Sequence, residues 1–134
     1  TRDSLVVHVN TGRPVWAECG GMMVLFDAIV DLEGRSHVSW GLFPGVVRMQ
    51  PRLAALGPQK LELATGELRG HTFHYSVCET ALEPVLHTAS ARGGAKCAGE
   101  AVYQRGALRA SYFHAWMASS PTAAAALFLP EVLA

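Results

Sequence analysis

The sequence reads PVWAECGGMMVLFDAI from residue 14 to residue 29. The apolar residues 14–17 favour a short buried strand, and the apolar run over residues 22–29 predicts a largely buried helix. Cys19 therefore lies in a tight turn between a strand and a helix, and two glycines follow it. Small neighbours let the backbone of such a turn adopt a strained conformation that pushes the side chain outward. The stretch predicts an exposed cysteine at a strand-to-helix elbow.

This elbow offers what a cysteine nucleophile needs. The amides and positive dipole end of the following helix favour the thiolate of Cys19 over the thiol. The amide of Gly20 can stabilise an oxyanion, so Gly20 and Gly21 are the candidate oxyanion and substrate-binding residues of the turn. A buried small hydrophobe is the commoner fate of a free cysteine. Here the Glu-Cys-Gly-Gly context favours the nucleophile.

A cysteine nucleophile also needs a base, which is found by geometry and not by sequence position. His114 ends a strand predicted up to that residue, and the carboxyl ends of strands are where sites of α/β sheets assemble. A structural histidine with satisfied hydrogen bonds explains the spacing equally well. His114 is therefore the candidate base, although its spacing in the sequence does not distinguish a catalytic histidine from a structural one.

A second candidate feature is the strand predicted over residues 70–76. Alternation places His74 and Ser76 on one face and Phe73 and Tyr75 on the other. This pattern fits both the lining of a substrate pocket and an ordinary half-exposed strand.

Turn residues and periodicity predict the remaining elements. One helix spans residues 3–11 and meets Gly12 as a natural stop. A last helix begins with Ser120 as N-cap and Pro121 at the first helical position, and ends near Pro130. Between them we predict strands over residues 46–50, 60–64, 70–76 and 83–88, a surface loop over 89–99, and a hairpin joining 101–103 to 108–114. Strands with helices at both ends predict a three-layer α/β domain with a β-rich middle.

Bulk composition excludes several classes of protein. The 134 residues fit one domain, and 50% hydrophobic content can fill its core. Eleven basic and eleven acidic residues leave no net charge, which argues against nucleic acid as a partner. The apolar runs are shorter than the ~20 residues of a membrane span.

The cysteines and histidines add a prediction about compartment and metals. Three cysteines without a CxxC pair predict a reduced, cytoplasmic protein with free thiols. Cys78 and Cys97 lack a glycine elbow and are expected to be inert. Neither they nor the scattered histidines specify a metal site, so no metal is predicted.

Four motifs in order resemble those of cobyrinic acid a,c-diamide synthases. Residues 14–23 are similar to the nucleophile motif of that family, and GLFPG at residues 41–45 resembles its "G-L-hydrophobic-P-G" turn. RGHTFHYS at residues 69–76 resembles the "R-G-H-E-F-H-Y-S" strand, and residues 111–121 resemble the terminal "Y-x-H…S-x-P" segment. The four motifs cover nearly the whole chain, and their combination is highly specific.

The resemblance implies a class I-like (flavodoxin-like) glutamine amidotransferase domain over residues 1–134, in cobalamin biosynthesis. Cys19 matches the nucleophile and His114 the histidine that activates it. Such enzymes hydrolyse glutamine through a cysteine thioester and pass ammonia to a synthetase domain of the same polypeptide, where ATP and Mg²⁺ activate a corrinoid acceptor. The resemblance further implies that this chain lacks that synthetase domain and the first strands of its own domain. Apolar surface exposed in their place would favour a homodimer.

The sequence departs from the family pattern at two positions, and alternatives stay open. Thr72 replaces a glutamate, and Trp116 stands where relatives carry a second histidine or an orienting glutamate, so we predict a Cys19–His114 dyad. One alternative is an amidotransferase domain for another acceptor, as in cobyric acid synthases or cell-wall amidotransferases. A second is a non-catalytic docking domain that keeps the elbow as a relic, and a third is a cysteine hydrolase unrelated to glutamine.

Overall fold

The computed structural model describes residues 1–92 and 99–130. The helices within these residues are α1 (Arg2–Asn10), α2 (Gly20–Met23) and α3 (Pro121–Ala126). The strands are β1 (Val15–Glu18), β2 (Phe26–Val30), β3 (Ser36–Val38), β4 (Phe43–Met49), β5 (Ala55–Leu63), β6 (Gly66–His74), β7 (Ser76–Glu79), β8 (Leu86–His87), β9 (Ala89–Ser90), β10 (Ala101–Arg105), β11 (Leu108–Ser111) and β12 (His114–Ala115). The predicted mixed α/β class is confirmed, with strands more numerous than helices.

The strands form three four-stranded sheets, in the orders β1-β11-β10-β8, β12-β6-β5-β9 and β3-β2-β4-β7. Strands β1 and β11 are parallel, with Glu18 opposite Ser111. Because both strands end at the same edge of the first sheet, the residues that follow them are brought together. The register of β1 against β11 therefore determines where the candidate site lies.

Two apolar cores hold the sheets together. One contains Met22, Phe26, Phe43 and Ala110, all fully buried, and joins α2 and the first and third sheets. The other joins the first and second sheets and α3, and its buried residues are Leu61, Leu68, Val102, Phe113, Ala123, Ala124 and Leu127. Elements that lie far apart in the sequence therefore share each core.

Several predicted elements are confirmed. Helix α1 stops before Gly12, whose φ of +79° is the left-handed conformation expected after a helix end. Ser120 is the N-cap of α3, as predicted, and its hydroxyl accepts a hydrogen bond from the Ala123 amide at 3.3 Å, but the helix ends at Ala126, before the predicted stop near Pro130. Strands β10 and β11 form the predicted hairpin, but its second strand ends at Ser111, and His114, which was predicted to end that strand, instead begins β12.

The helix predicted over residues 22–29 is wrong. Helix α2 ends at Met23, and the chain then forms β2, which pairs with β3 and β4. A short apolar run does not distinguish a buried helix from a buried strand, and residues 26–30 carry the aromatic and β-branched side chains that strands prefer. Phe26 is fully buried on that strand, so tertiary packing decided the outcome.

Other boundaries moved as well. The strand predicted over residues 70–76 is divided, because β6 ends at His74 and β7 begins at Ser76. The strand predicted over 83–88 is reduced to β8. Of the loop predicted over 89–99, residues 89–90 form β9, and residues 93–98, including Cys97, lie outside the described residues.

The GLFPG motif has a packing role. The amide of Gly45 donates to Asp27 Oδ2 at 2.8 Å, and its φ is +111°. A Cβ at this position would collide with the backbone of Glu79. The glycine therefore lets β7 approach β4 closely. Within the described residues, the helices are too short and insufficiently apolar to cross a membrane.

Candidate active site

The elbow predicted at Cys19 is present. Cys19 follows β1, caps α2, and has φ +46° and ψ −112°. Among the described residues it is the sole non-glycine residue with positive φ. Such strain persists only where the surroundings fix the backbone, and here the Cys19 amide donates to the Ser111 carbonyl at 2.9 Å. The Cys19 carbonyl in turn accepts from the Met23 amide at 2.9 Å.

The expected helix effect on the thiol is outweighed. Burial raises the pKa of Cys19 above its ordinary value of 9.0, and a hydrogen bond from the Gly20 amide only partly offsets this. The carboxylates of Glu100 and Glu18 raise the pKa further. Helix α2 spans a single turn, so its dipole is small. The surroundings of Cys19 therefore favour the thiol over the thiolate, and reaction as a nucleophile requires a base.

His114 lies near the same sheet edge. It begins β12, three positions after Ser111 in the sequence, and pairs with His71 on β6. The rings of His71 and His114 are stacked, with centroids 4.8 Å apart. Cys19 Sγ lies 4.0 Å from the carbonyl oxygen of Phe73, two residues further along β6. Since alternate residues of a strand are about 7 Å apart, Cys19 and His114 lie along the same short stretch of β6.

Gly70 makes this approach of β12 to β6 possible. A Cβ at this position would collide with the His114 carbonyl and the Phe113 ring. Phe113 is fully buried and is itself held by a hydrogen bond from its amide to Ser111 Oγ at 3.1 Å. The glycine of the RGHTFHYS motif thus fixes the backbone position of His114.

Glu18 directly precedes Cys19 in the sequence, and its carboxylate lies close to His114. Its Oε1 accepts hydrogen bonds from Trp16 Nε1 at 2.8 Å and from the Ala115 amide at 3.0 Å. Its Oε2 lies 3.8 Å from His114 Nδ1. Sequence reasoning missed Glu18 and Trp16 as site residues. Their alternation along β1 and the position of Glu18 directly before Cys19 were the available signals.

His74 belongs to a buried polar network. Its Nδ1 lies 2.8 Å from the Ser76 carbonyl oxygen and its Nε2 lies 3.1 Å from Glu100 Oε1. Thr72 Oγ1 donates to the same Glu100 oxygen at 2.6 Å. Burial opposes ionisation of Glu100, but the hydrogen bonds from His74 and Thr72 outweigh it and lower the pKa of this carboxyl. Both ring nitrogens of His74 face acceptors, which commits them to internal partners.

Ser76 continues this network. Its Oγ lies 2.7 Å from Tyr112 Oη, and the Tyr112 ring stacks on His74. Cys78 Sγ lies 3.5 Å from the same hydroxyl, and burial raises the pKa of the Cys78 thiol to about 11. These side chains line a cavity of about 230 Å³.

The predicted alternation of this strand is confirmed. Phe73 and Tyr75 lie on the opposite face from His74 and Ser76 and are about half exposed, with edge-to-face rings 5.7 Å apart. A role for His74, Tyr75 and Ser76 in substrate binding stays a prediction.

A larger cleft of about 700 Å³ lies beside β5 and β6. Arg69, His71, Arg92 and Trp116 are among its lining residues. Trp116, two residues after His114, is 61% exposed. Within residues 1–92 and 99–130, no group of three or more His, Cys, Asp or Glu side chains is placed to hold a metal ion.

Comparison with known proteins places these motifs in a family context. Residues 1–122 match the family described as the CobB/CobQ-like glutamine amidotransferase domain. The cobyrinate a,c-diamide synthase of Herminiimonas arsenicoxydans is 51% identical over 134 residues, which cover 99% of this chain and 30% of that protein. The hydrogenobyrinate a,c-diamide synthases of Pseudomonas aeruginosa and Stutzerimonas stutzeri are 44% and 46% identical, over 96% of this chain and 29% of each protein. The chain thus spans about 30% of the length of the curated relatives it matches.

Proposed function

The chain belongs to the CobB/CobQ-like glutamine amidotransferase family, and from this we propose that it supplies the glutaminase activity of a cobyrinate or hydrogenobyrinate a,c-diamide synthase. The family resemblance and the class I-like α/β fold predicted from the four motifs are confirmed. The observation that carries the proposal is the strained Cys19 elbow, with His114 near the shared carboxyl edge of β1 and β11.

The proposed reaction begins with removal of the Cys19 proton. Because burial raises the pKa of this thiol, His114 takes the proton as sulfur attacks the side-chain amide carbon of glutamine. The Gly20 amide, which already hydrogen-bonds to Cys19, stabilises the oxyanion. His114 returns the proton to the leaving ammonia, and a γ-glutamyl thioester remains on Cys19. His114 then takes a proton from water as the water attacks the thioester, which releases glutamate and restores the thiol.

In this proposal, the part of the protein outside this chain carries out the reaction on the acceptor. The relatives are named for cobyrinate and hydrogenobyrinate, and the chain matches about 30% of their length. We therefore propose that ammonia passes to a synthetase domain in the remaining part, where ATP and Mg²⁺ activate carboxylates of a corrinoid acceptor. The names of the relatives favour this acceptor class over those of cobyric acid synthases and cell-wall amidotransferases.

Three further expectations stay predictions. One is a single glutaminase domain over residues 1–134. Another is a homodimer of the isolated chain. The third is a cytoplasmic location, which is supported by the free thiols of Cys19 and Cys78.

A diazo-ketone analogue of glutamine tests the proposal. We expect the analogue to alkylate Cys19 in the full-length protein at neutral pH, and we expect excess glutamine and His114→Ala to abolish this labelling. Cys78, whose pKa is about 11, is the internal control. Peptide mass spectrometry locates the adducts. Equal labelling of Cys19 and Cys78, or labelling that glutamine does not block, would contradict the proposal and favour the non-catalytic docking domain.

A further inference from the structure

The carboxylate of Glu18 is held rigidly beside His114. One of its oxygens, Oε1, accepts from two donors, the Trp16 indole and the Ala115 amide. The first donor lies on β1 and the second on β12, so this oxygen ties the nucleophile strand to the histidine strand. With Oε1 engaged, Oε2 is left on the side of His114 Nδ1, at 3.8 Å.

We infer that Glu18, the residue immediately before the proposed nucleophile, is the positioning residue that orients His114. The inference rests on the proposed roles of Cys19 and His114, and it replaces the dyad predicted from the sequence with a Cys19–His114–Glu18 set. Glu18 acts through His114 and does not itself touch the substrate.

The physical reason is the choice between the two neutral forms of imidazole. An ionised carboxylate only accepts hydrogen bonds, so it stabilises the form of His114 that carries its proton on Nδ1. In that form Nε2 has a free lone pair and can take a proton. The separation of 3.8 Å exceeds a direct hydrogen bond, but contacts of this kind are often long in free enzymes and shorten when substrate binds.

Two other side chains near the site are not suited to orient His114. Glu100, the other carboxylate that acts on the Cys19 thiol, is bound to Thr72 and His74. Trp116, two residues after His114, has a donor and no acceptor. Within the described part of the chain, Glu18 is the one carboxylate within ion-pair distance of His114.

The decisive test is the tautomer of His114, measured by ¹⁵N NMR of the imidazole at alkaline pH, where the ring is neutral. In the wild-type protein we expect the proton on Nδ1. Glu18→Gln keeps an oxygen for the Trp16 and Ala115 donors but presents an NH₂ group to Nδ1, so we expect the proton to move to Nε2. A wild-type protein with its proton on Nε2, or a variant with an unchanged tautomer, would overturn the inference.

Kinetics supply the second readout. We expect Glu18→Gln to lower kcat for glutamine hydrolysis about 10²-fold or more, as loss of the correct tautomer does in other nucleophile–histidine enzymes, with little change in KM. Glu62→Gln is the matched control, because Glu62 is an exposed carboxylate paired with Lys60. An equal loss of kcat in both variants, or none in Glu18→Gln, would contradict the inference.

A second variant covers the case in which Glu18→Gln does not fold. Trp16→Phe removes one donor to Oε1 and leaves the carboxylate charge in place. In this variant we expect a mixture of the two His114 tautomers and a smaller loss of kcat than in Glu18→Gln. If His114 keeps only the wild-type tautomer and kcat is unchanged, the hydrogen bond from Trp16 does not help Glu18 to orient His114. Absence of glutamine turnover and of analogue labelling in the wild-type protein would instead defeat the proposed function, while the NMR result would still decide the orientation of His114.

Discussion

At the scale of single residues, two effects oppose each other at the Cys19 thiol. Burial raises its pKa, whereas the Gly20 amide lowers it, and burial is the larger effect. The strained φ of +46° directs the side chain out of the turn but does not ionise it. A nucleophile of this kind depends on its base, which is why the orientation of His114 matters more than the short helix α2.

The pH dependence of alkylation tests this balance. Only the thiolate reacts with iodoacetamide. Because burial raises the folded-state pKa of Cys19 above its ordinary value, the thiolate fraction should still be rising with pH in the alkaline range, and the alkylation rate should not level off near neutrality. Cys78, with a pKa of about 11, should react more slowly at each pH. Rates for each cysteine come from peptide mass spectrometry, and a plateau for Cys19 below about pH 8 would contradict the burial argument.

At the scale of elements, the site depends on where two strands end and how closely a third approaches. The parallel pairing of β1 and β11 brings the residue after Glu18 to the Ser111 carbonyl. Strand β12 then lies against β6 only because Gly70 carries no side chain. Each contact is made by backbone, so the geometry tolerates change in surface side chains but not at this glycine.

Gly70→Ala should therefore damage the site more than the fold. The added methyl group forces β12 away from β6, which we expect to cost about 1–3 kcal/mol of stability. A displacement of about 1 Å at His114 should lower glutaminase activity about 10²-fold. Thermal unfolding and glutamine hydrolysis measure the two effects.

Gly106→Ala is the matched control for this prediction. Gly106 lies in the β10–β11 turn with φ +59°, where a Cβ would meet no atom within 4 Å. The left-handed conformation should cost about 1–2 kcal/mol. Equal activity losses in the two variants would indicate that global stability, and not the position of His114, controls turnover.

At the scale of the whole molecule, a buried arginine links the first sheet to the last helix. The Arg109 side chain is fully buried on β11. Its guanidinium donates to the carbonyls of Ala126, Leu127 and Leu129, at 3.1, 2.6 and 2.6 Å. The first carbonyl belongs to the last residue of α3 and the other two follow it, so the cation lies at the C-terminal end of the helix, where it also interacts favourably with the helix dipole. The arginine thus joins the two ends of a segment that contains His114.

Arg109→Met tests this link. Methionine fills much of the volume but leaves the three carbonyls without these donors, so we expect a loss of about 3 kcal/mol in the free energy of unfolding. Arg48→Met is the control, because Arg48 forms an exposed ion pair with Glu79, and such pairs contribute about 0–1 kcal/mol. Urea denaturation measures the free energy of unfolding of both variants. Equal losses in the two would contradict the structural role of the buried Arg109 side chain.

The sequence by itself determined the local chemistry of this protein. The Cys-Gly-Gly turn, the Ser120-Pro121 helix start, the Gly12 stop and the alternation around His74 were all predicted, because each depends on neighbouring residues. The family followed from four motifs in order.

Tertiary structure alone decided what depends on residues far apart in the chain. Residues 26–30 became a strand because β3 and β4 pair with them, although their apolar run favoured a helix. Burial of Cys19 reversed the pKa shift expected from sequence. Glu18 lies beside His114 because Ala115, 97 positions away, donates to it. Hydrogen bonds and burial across such separations leave no periodicity in the sequence, so the contact of Glu18 with His114 emerged only from the folded chain.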